Sequence, residues 1–312
     1  MRYRRLGKSD LEVSVVSLGT WAMGGTHWGP ADDEASIATI RAAVEAGVNL
    51  IDTAPVYGNG HSEEVVGKAI QSIRDRVIIA TKCGVHPKGD DFYFDLSPAE
   101  VRKEVEESLS RLGIERIDLY QCHWPDENTP IEDTMEEMLK LQAEGKIRYI
   151  GVSNFDAALI ERALKVAPVV SLQPQYSLLE RKVEDGLLPY CREHGIGVMA
   201  YGPLGSGILT GKYREKPTFD EKDARSFFYP FFKEPLWSKA QELVAELRKI
   251  AVAHDRPVAH VAINWVIQQP GVTTAIVGAR TPVQAETNVA AADCQFSDDE
   301  LKSIEKAYNF IM

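Results

Sequence analysis

The stretch Asn49-Leu50-Ile51-Asp52-Thr53-Ala54-Pro55-Val56-Tyr57-Gly58-Asn59-Gly60 decides how this chain reads. An apolar run ends on a carboxylate, Asp52, and a Pro-containing turn then holds out one tyrosine, Tyr57. This pattern predicts a buried strand with a loop at its C-terminal end. Working outward, the same unit recurs. Short β-branched runs at Val15–Leu18, Val48–Asp52, Val77–Thr81, Ile117–Gln121, Arg148–Val152, Val169–Leu172, Gly197–Ala200 and Thr273–Val277 alternate with longer amphipathic segments. Most of these runs are apolar almost throughout, as parallel strands covered on both faces must be.

The intervening segments carry helix signals. Asp32 or Asp33 is placed to cap a helix with Ile37, Ile40 and Val44 on one face and Gly47 at its end. Ser97-Pro98-Ala99-Glu100 reads as a capping box with Pro at the first helical position, and Thr129-Pro130-Ile131-Glu132 and Thr281-Pro282-Val283-Gln284 repeat the device. Ser297-Asp298-Asp299-Glu300 opens a last helix. Eight strands alternating with eight or more helices predict an α/β fold, a (β/α)8 TIM barrel in one domain spanning residues 1–312. A doubly wound sheet is the alternative. Arg2–Leu6, a turn at Gly7–Asp10 and Glu12–Val16 predict an N-terminal β-hairpin cap. Between Gly205 and Trp237 no period survives, and Phe227-Phe228-Tyr229-Pro230-Phe231-Phe232 sits in the middle. A loop this long is read as a lid over the mouth or as packing on the barrel. Ser238–His254 and Pro257–Gln268 both look helical where a barrel needs one helix, so one of them is extra.

Composition narrows the function. A net charge of -11 argues against nucleic-acid binding, which relies on clustered Lys and Arg. No run reaches the roughly 18 apolar residues of a membrane helix. The basic start Met1-Arg2-Tyr3-Arg4-Arg5 is not followed by an apolar region, so it does not read as a signal peptide. Cys83, Cys122, Cys191 and Cys294 are far apart in sequence and form no CxxC pair, which reads as reduced thiols. Together these predict a cytoplasmic protein with no membrane partner. The chain has no HExxH or EF-hand pattern, and no metal is expected. Gly58-Asn59-Gly60 fails the GxGxxG fingerprint, and the spacing from Gly205 to Lys212 fails a phosphate loop.

In a barrel, chemistry sits at the C-terminal ends of the strands. Reading those positions alone yields Gly19-Thr20-Trp21, Asp52, Tyr57, Lys82, His123-Trp124, Ser153-Asn154, Gln173, Tyr201 and Gly278-Ala279-Arg280. Singly, each has a plain explanation: an Asp52–Lys82 ion pair, a rim histidine, a loop tyrosine, a helix cap at Ser153-Asn154. Together they match what protonates a carbonyl oxygen. A lysine would lower the tyrosine pKa, an aspartate would hold the lysine, and a histidine would orient the substrate oxygen.

Beyond these positions, the ordered motifs Gly19-Thr20-Trp21, Asp52-Thr53-Ala54-Pro55-Val56-Tyr57-Gly58, Ala80-Thr81-Lys82 and Asp118-Leu119-Tyr120-Gln121-Cys122-His123-Trp124 are similar to those of the aldo-keto reductase superfamily. Gly145-Lys146-Ile147-Arg148, Gly151-Val152-Ser153-Asn154-Phe155, Gln173-Pro174-Gln175-Tyr176 and Gly202-Pro203-Leu204 ahead of Gly207 extend the resemblance over nearly the whole chain. Trp124-Pro125 and Gly278-Ala279-Arg280 resemble the bacterial branch of general-stress and inositol-associated reductases. The resemblance implies NADPH as cofactor and a small-molecule aldehyde or ketone as substrate, with Tyr57 as proton donor, Lys82 and Asp52 tuning it, and His123 positioning the carbonyl. It implies that Gly19, Thr20 and Trp21 border the cofactor and that Ser153, Asn154 and Gln173 bond the nicotinamide carboxamide. Tyr201 would stack on the ring, and Gly202, Leu204, Ser206 and Gly207 would meet the pyrophosphate. Gly278, Arg280, Gln284 and Asn288 would take the adenosine end, with NADP+ bound at the same place. Trp21, Tyr57 and Trp124 would line the substrate pocket. Thr287 precedes Asn288 where many relatives carry an acidic residue. Two other functions compete: a cofactor-binding redox sensor resembling the potassium-channel β-subunits, and a Schiff-base aldolase using Lys82.

Overall fold

The computed structural model describes residues 1–89 and 91–312. Strands β1 (Tyr3–Arg5) and β2 (Glu12–Ser14) pair antiparallel as a separate hairpin. The chain continues with β3 (Val16–Gly19), β4 (Leu50–Asp52), β5 (Ile78–Cys83), a second hairpin of β6 (Val85–Lys88) and β7 (Asp91–Phe94), and β8 (Ile117–Cys122). Then follow β9 (Ile147–Ser153), β10 (Val169–Gln173), β11 (Gly197–Tyr201) and β12 (Val272–Gly278). Strands β3, β4, β5, β8, β9, β10, β11 and β12 form a closed parallel barrel, with β12 returning to β3 through Ala275↔Val16 and Gly278↔Gly19. The eight expected strands are these eight. The β6–β7 hairpin is absent from the sequence reading because Pro87 and Gly89 interrupt its short alternation.

The first hairpin does more than cap. Leu6, Leu11 and Val13 enter the floor of the barrel and pack on Leu50, Ala80, Leu119, Val170, Met199 and Ile276. Each such burial stabilises by about 1.5–3 kcal/mol. The N-terminal end of the barrel is thereby plugged.

Helices α1 (Asp33–Glu45), α2 (His61–Ile70), α3 (Pro98–Leu112), α4 (Ile131–Ala143), α5 (Ala157–Leu164) and α6 (Leu187–His194) follow successive barrel strands. Helices α7 (Ala224–Phe227), α8 (Leu236–Ala253) and α9 (Val258–Gln268) all lie between β11 and β12, and α10 (Pro282–Ala290) and α11 (Asp298–Ile311) close the chain. Asp32 caps α1, accepting from the Ala35 N–H at 3.0 Å, and Ser297 and Glu300 form the expected box on α11. Thr281 accepts from the Gln284 N–H at 3.2 Å. That box forms only by half, since Gln284 Oε1 accepts from the Arg280 N–H and not from Thr281. Two other expected boxes do not form. The Ser97 side chain caps nothing, its own N–H being drawn to Asp95 Oδ1 at 2.9 Å. At α4 the cap position falls on Pro130, which leaves Thr129 one residue outside. No helix among the described residues is long and apolar enough to cross a membrane.

The segment from Gly205 to Trp237 holds a 3-10 turn at Gly205–Thr210, α7, and a second turn at Pro230–Phe232. Its aromatic run divides. Tyr229, Phe231 and Phe232 are buried, Phe232 meeting Phe219 edge-on at 4.8 Å, while Phe227 and Phe228 are exposed. The packing reading therefore describes Tyr229, Phe231 and Phe232, while Phe227 and Phe228 stay at the surface.

Candidate active site

The loop after β4 is built to hold one side chain still. The Gly60 N–H donates to Pro55 O at 2.6 Å and the Ser62 N–H to Tyr57 O at 3.1 Å, closing a tight turn around Tyr57. Gly58 has φ +68°, and a Cβ there would lie 2.0 Å from Gly24 O, so the loops after β3 and β4 touch backbone to backbone. Beneath them, Ser62 Oγ donates to Thr20 Oγ1 at 2.8 Å, and Thr20 Oγ1 to Asp52 O at 3.0 Å. The next residue of α2, Glu63, is fully buried and accepts from Thr81 Oγ1 at 2.6 Å and Arg111 Nε at 2.7 Å. These bonds tie the Tyr57 loop to the strand that carries Lys82.

Lys82 is 0% exposed and its ammonium has three acceptors: Asp52 Oδ2 at 2.8 Å, Thr53 O at 2.9 Å and Tyr57 Oη at 3.2 Å. The expected Asp52, Tyr57 and Lys82 thus meet at one point. The His123 ring lies edge-on to Tyr57, with centroids 5.9 Å apart, and is half-buried at the mouth. Trp21 stacks on the other side of Tyr57 at 5.8 Å. Trp124 lies 6.2 Å from Phe94.

Around the rim the remaining expected residues are linked to one another. Ser153 Oγ donates to Gln173 O at 2.7 Å. Asn154, held at φ +60°, donates to His123 O at 3.0 Å and to Ser153 Oγ at 3.1 Å, and accepts from Tyr201 Oη at 3.0 Å. Gln173 is turned inward, its Nε2 donating to Asp52 Oδ1 at 2.7 Å. Past Gly202 and Leu204, Ser206 (φ +54°) and Gly207 (φ +94°) are successive left-handed residues, and the buried Ser206 Oγ makes no hydrogen bond within 3.5 Å among the described residues. A serine in that conformation is uncommon. Arg280 donates to Trp28 O at 3.1 Å and also to Pro30 O. Gln284 accepts from the Arg280 N–H at 2.8 Å and Asn288 donates to Gly278 O at 3.2 Å, so both brace the turn that presents Arg280. Gly19 pairs with Asp52 and with Gly278 at the open ends of three adjacent strands.

Other residues join the site; Trp28, Arg225 and Lys212 were not foreseen, whereas Phe228 belongs to the aromatic run already singled out. Trp28 meets Trp21 edge-on at 5.5 Å, and Phe228 does so at 6.1 Å. Arg225 lies over Trp28 at 5.2 Å and the Ala224 N–H donates to His27 O at 2.8 Å, joining the long segment to the loop after β3. A Cβ on Gly207 would lie 3.3 Å from Lys212 Nζ, which places a cation beside the Ser206–Gly207 turn. Cys83 and Cys122, distant in sequence, are register partners on β5 and β8.

The barrel itself agrees with the comparisons. Residues 15–309 match the Aldo/keto reductase family. The chain belongs to the aldo/keto reductase family. It is 43% identical over 307 residues to the aldo-keto reductase YhdN of Bacillus subtilis, covering 97% of this chain and 92% of that one. It is 38% identical to the NADH-specific methylglyoxal reductase of Escherichia coli, covering 94% of each. Among solved structures, the glycerol dehydrogenase AKR11B4 from Gluconobacter oxydans superposes with a TM-score of 0.91 at 42% identity, covering 99% of this chain and 96% of that one. The family is one of oxidoreductases that use a nicotinamide cofactor.

The electrostatics of this aldo/keto reductase correct one expectation. Tyr57 is not shifted down by Lys82. Burial pushes the phenol well above its ordinary value, and the Asp52 charge pushes in the same direction. Lys82 itself is lowered by burial, against the pull of Asp52 and Glu63. His123 is held well below its ordinary value, by burial first and by the Lys82 charge second. The site at rest is therefore a neutral phenol beside a neutral imidazole.

Proposed function

We propose that this chain reduces aldehydes and ketones to alcohols with NADPH, and that Tyr57 donates the proton. The observation that carries the reading is the convergence of Lys82 Nζ and Tyr57 Oη at 3.2 Å beneath an open mouth edged by His123. A raised phenol pKa supports the role of acid, because the proton is present across the working pH range and leaves only when an alkoxide develops beside it. Lys82, held by Asp52, then stabilises the phenolate as it forms. Neutral His123 donates its one N–H to the substrate carbonyl oxygen, which can only accept. Trp21 and Trp124 border the substrate.

The residues present suit a bound dinucleotide, which supplies the hydride. Ser153 and Asn154 would hold the carboxamide, with Gln173 beneath it, and Tyr201 would lie under the ring. The buried Ser206 Oγ, the left-handed turn through Gly207 and the nearby Lys212 offer donors and charge for a pyrophosphate. Arg280 has five N–H donors, and two carbonyls leave several for a 2′-phosphate at the start of α10. Gly278, Gln284 and Asn288 support that end. The Escherichia coli relative is NADH-specific by name, so the comparison of NADPH with NADH tests the assignment to Arg280 directly.

The full set of three acceptors around Lys82 Nζ weighs against an aldolase, which needs a neutral amine free to attack. The test is consumption of NADPH and NADH with methylglyoxal, glyceraldehyde and open-chain sugars, using Tyr57→Phe as control. Turnover in the wild type with a loss of about 10²-fold or more in the variant is expected. Tight NADPH binding without turnover would instead favour a redox sensor.

A further inference from the structure

Asp52 has both carboxylate oxygens engaged inside the barrel. Oδ2 accepts from Lys82 at 2.8 Å and Oδ1 from Gln173 Nε2 at 2.7 Å. A carboxylate only accepts, so the edge of the Gln173 amide that faces Asp52 must be its NH2 group. The second hydrogen of that group points to Gln121 Oε1 at 3.3 Å. With both Nε2 hydrogens used, only Gln173 Oε1 remains for a ligand, and it can only accept. A nicotinamide carboxamide N–H is a donor of the right kind.

Gln121 is 0% exposed, on β8, in register with Lys82 across the β5–β8 pair. Its own Nε2 is buried with no hydrogen-bond partner among the described residues. Leaving such a donor unpaired costs about 1–3 kcal/mol, so an apolar residue of similar size would stabilise this position better. Among the described residues its side chain has one hydrogen-bond partner, Gln173. What Gln121 contributes is the acceptor that keeps the Gln173 amide from turning over.

We propose that Gln121 is a positioning residue for the reduction: acting through Gln173, it fixes Asp52 so that Lys82 is aimed at Tyr57. The same amide joins the cofactor end of the site to the proton end, since Gln173 would accept from the carboxamide with one atom and hold Asp52 with the other. This rests on the reading of Tyr57 as proton donor.

The experiment compares Gln121→Met, Gln121→Leu and Gln173→Glu with the wild type. NADP+ dissociation constants come from tryptophan quenching, kcat and KM from NADPH consumption, and folding from thermal unfolding. Loss of alignment at a reacting centre is costly, so both Gln121 variants are expected to lower kcat about 10-fold, with KM and the NADP+ constant within about two-fold. In Gln173→Glu a second carboxylate faces Asp52, and the two cannot both ionise at this distance. The titratable groups around it are Asp52, Lys82, Tyr57 and His123. Its kcat is expected to fall as pH rises, with a limb absent from the wild type. Wild-type kcat in folded Gln121→Met and Gln121→Leu would overturn the proposal. So would a kcat loss matched by equally weakened NADP+ binding, or a wild-type pH profile in Gln173→Glu. Full turnover by Tyr57→Phe would instead overturn the reading beneath it.

Discussion

Glu104 gives a prediction whose size follows from the structure. It sits on α3, nearly fully buried, and accepts from the Gly84 N–H at 2.6 Å just beyond Lys82-Cys83. Burial, above all, raises its carboxyl from 4.5 to about 8, the Gly84 bond opposing and the charges of Glu100, Glu63 and Glu107 adding to the rise. The folded state therefore binds more protons than the unfolded chain between these two values. Unfolding releases a proton there, so stability falls as pH rises through that window. The favourable contribution is complete below about 4.5 and lost above about 8. At 1.36 kcal/mol per unit, the span of about 3.5 units is worth about 5 kcal/mol. Glu104→Gln removes the titration while keeping an acceptor for the Gly84 N–H. Urea unfolding of both proteins at pH 5 and pH 9 isolates the term. The variant should gain about 3–4 kcal/mol on the wild type between those pH values. A difference between the two proteins that does not change with pH would refute the reasoning.

Three further outcomes are expected. Lys82→Met leaves Asp52 buried without its cation and should cost about 3–5 kcal/mol in denaturant unfolding, beyond any loss of turnover; a change under 1 kcal/mol would refute the pairing. Because His123 is held low and Tyr57 high, the wild-type kcat for carbonyl reduction should be flat from about pH 6.5 to 9, and a limb near 6.5 would assign a titrating His123 instead. Arg280→Met should weaken NADPH binding at least about 10-fold, the scale of a lost charge-assisted contact, and leave NADH binding unchanged; equal effects on both would remove the 2′-phosphate role.

Much of the molecule was legible along the chain. A parallel strand buried on both faces has to be apolar, so the eight barrel strands announced themselves by composition alone. The barrel rule then ranked polar strand ends such as Asp52, Lys82 and Gln173 above every other polar residue. The plug was legible only as a hairpin, because nothing in Leu6, Leu11 or Val13 says that their burial partners are Leu50, Val170 and Ile276. Helix caps failed where a neighbour competed for the same N–H, as Asp95 does at Ser97.

What the sequence by itself determined is the order of elements and the identity of the groups at the open end, since both follow from local periodicity and residue type. What the tertiary structure alone decided is direction and partnership. It turned Gln173 inward to Asp52, set Gln121 behind it, brought Trp28, Phe228 and Lys212 to the mouth, and divided the aromatic run between core and rim. It also reversed the expected shift of Tyr57. The physical reason is common to all of these. Burial, amide orientation and the balance of charges are sums over neighbours far apart in the chain, and those neighbours exist only once the barrel has closed.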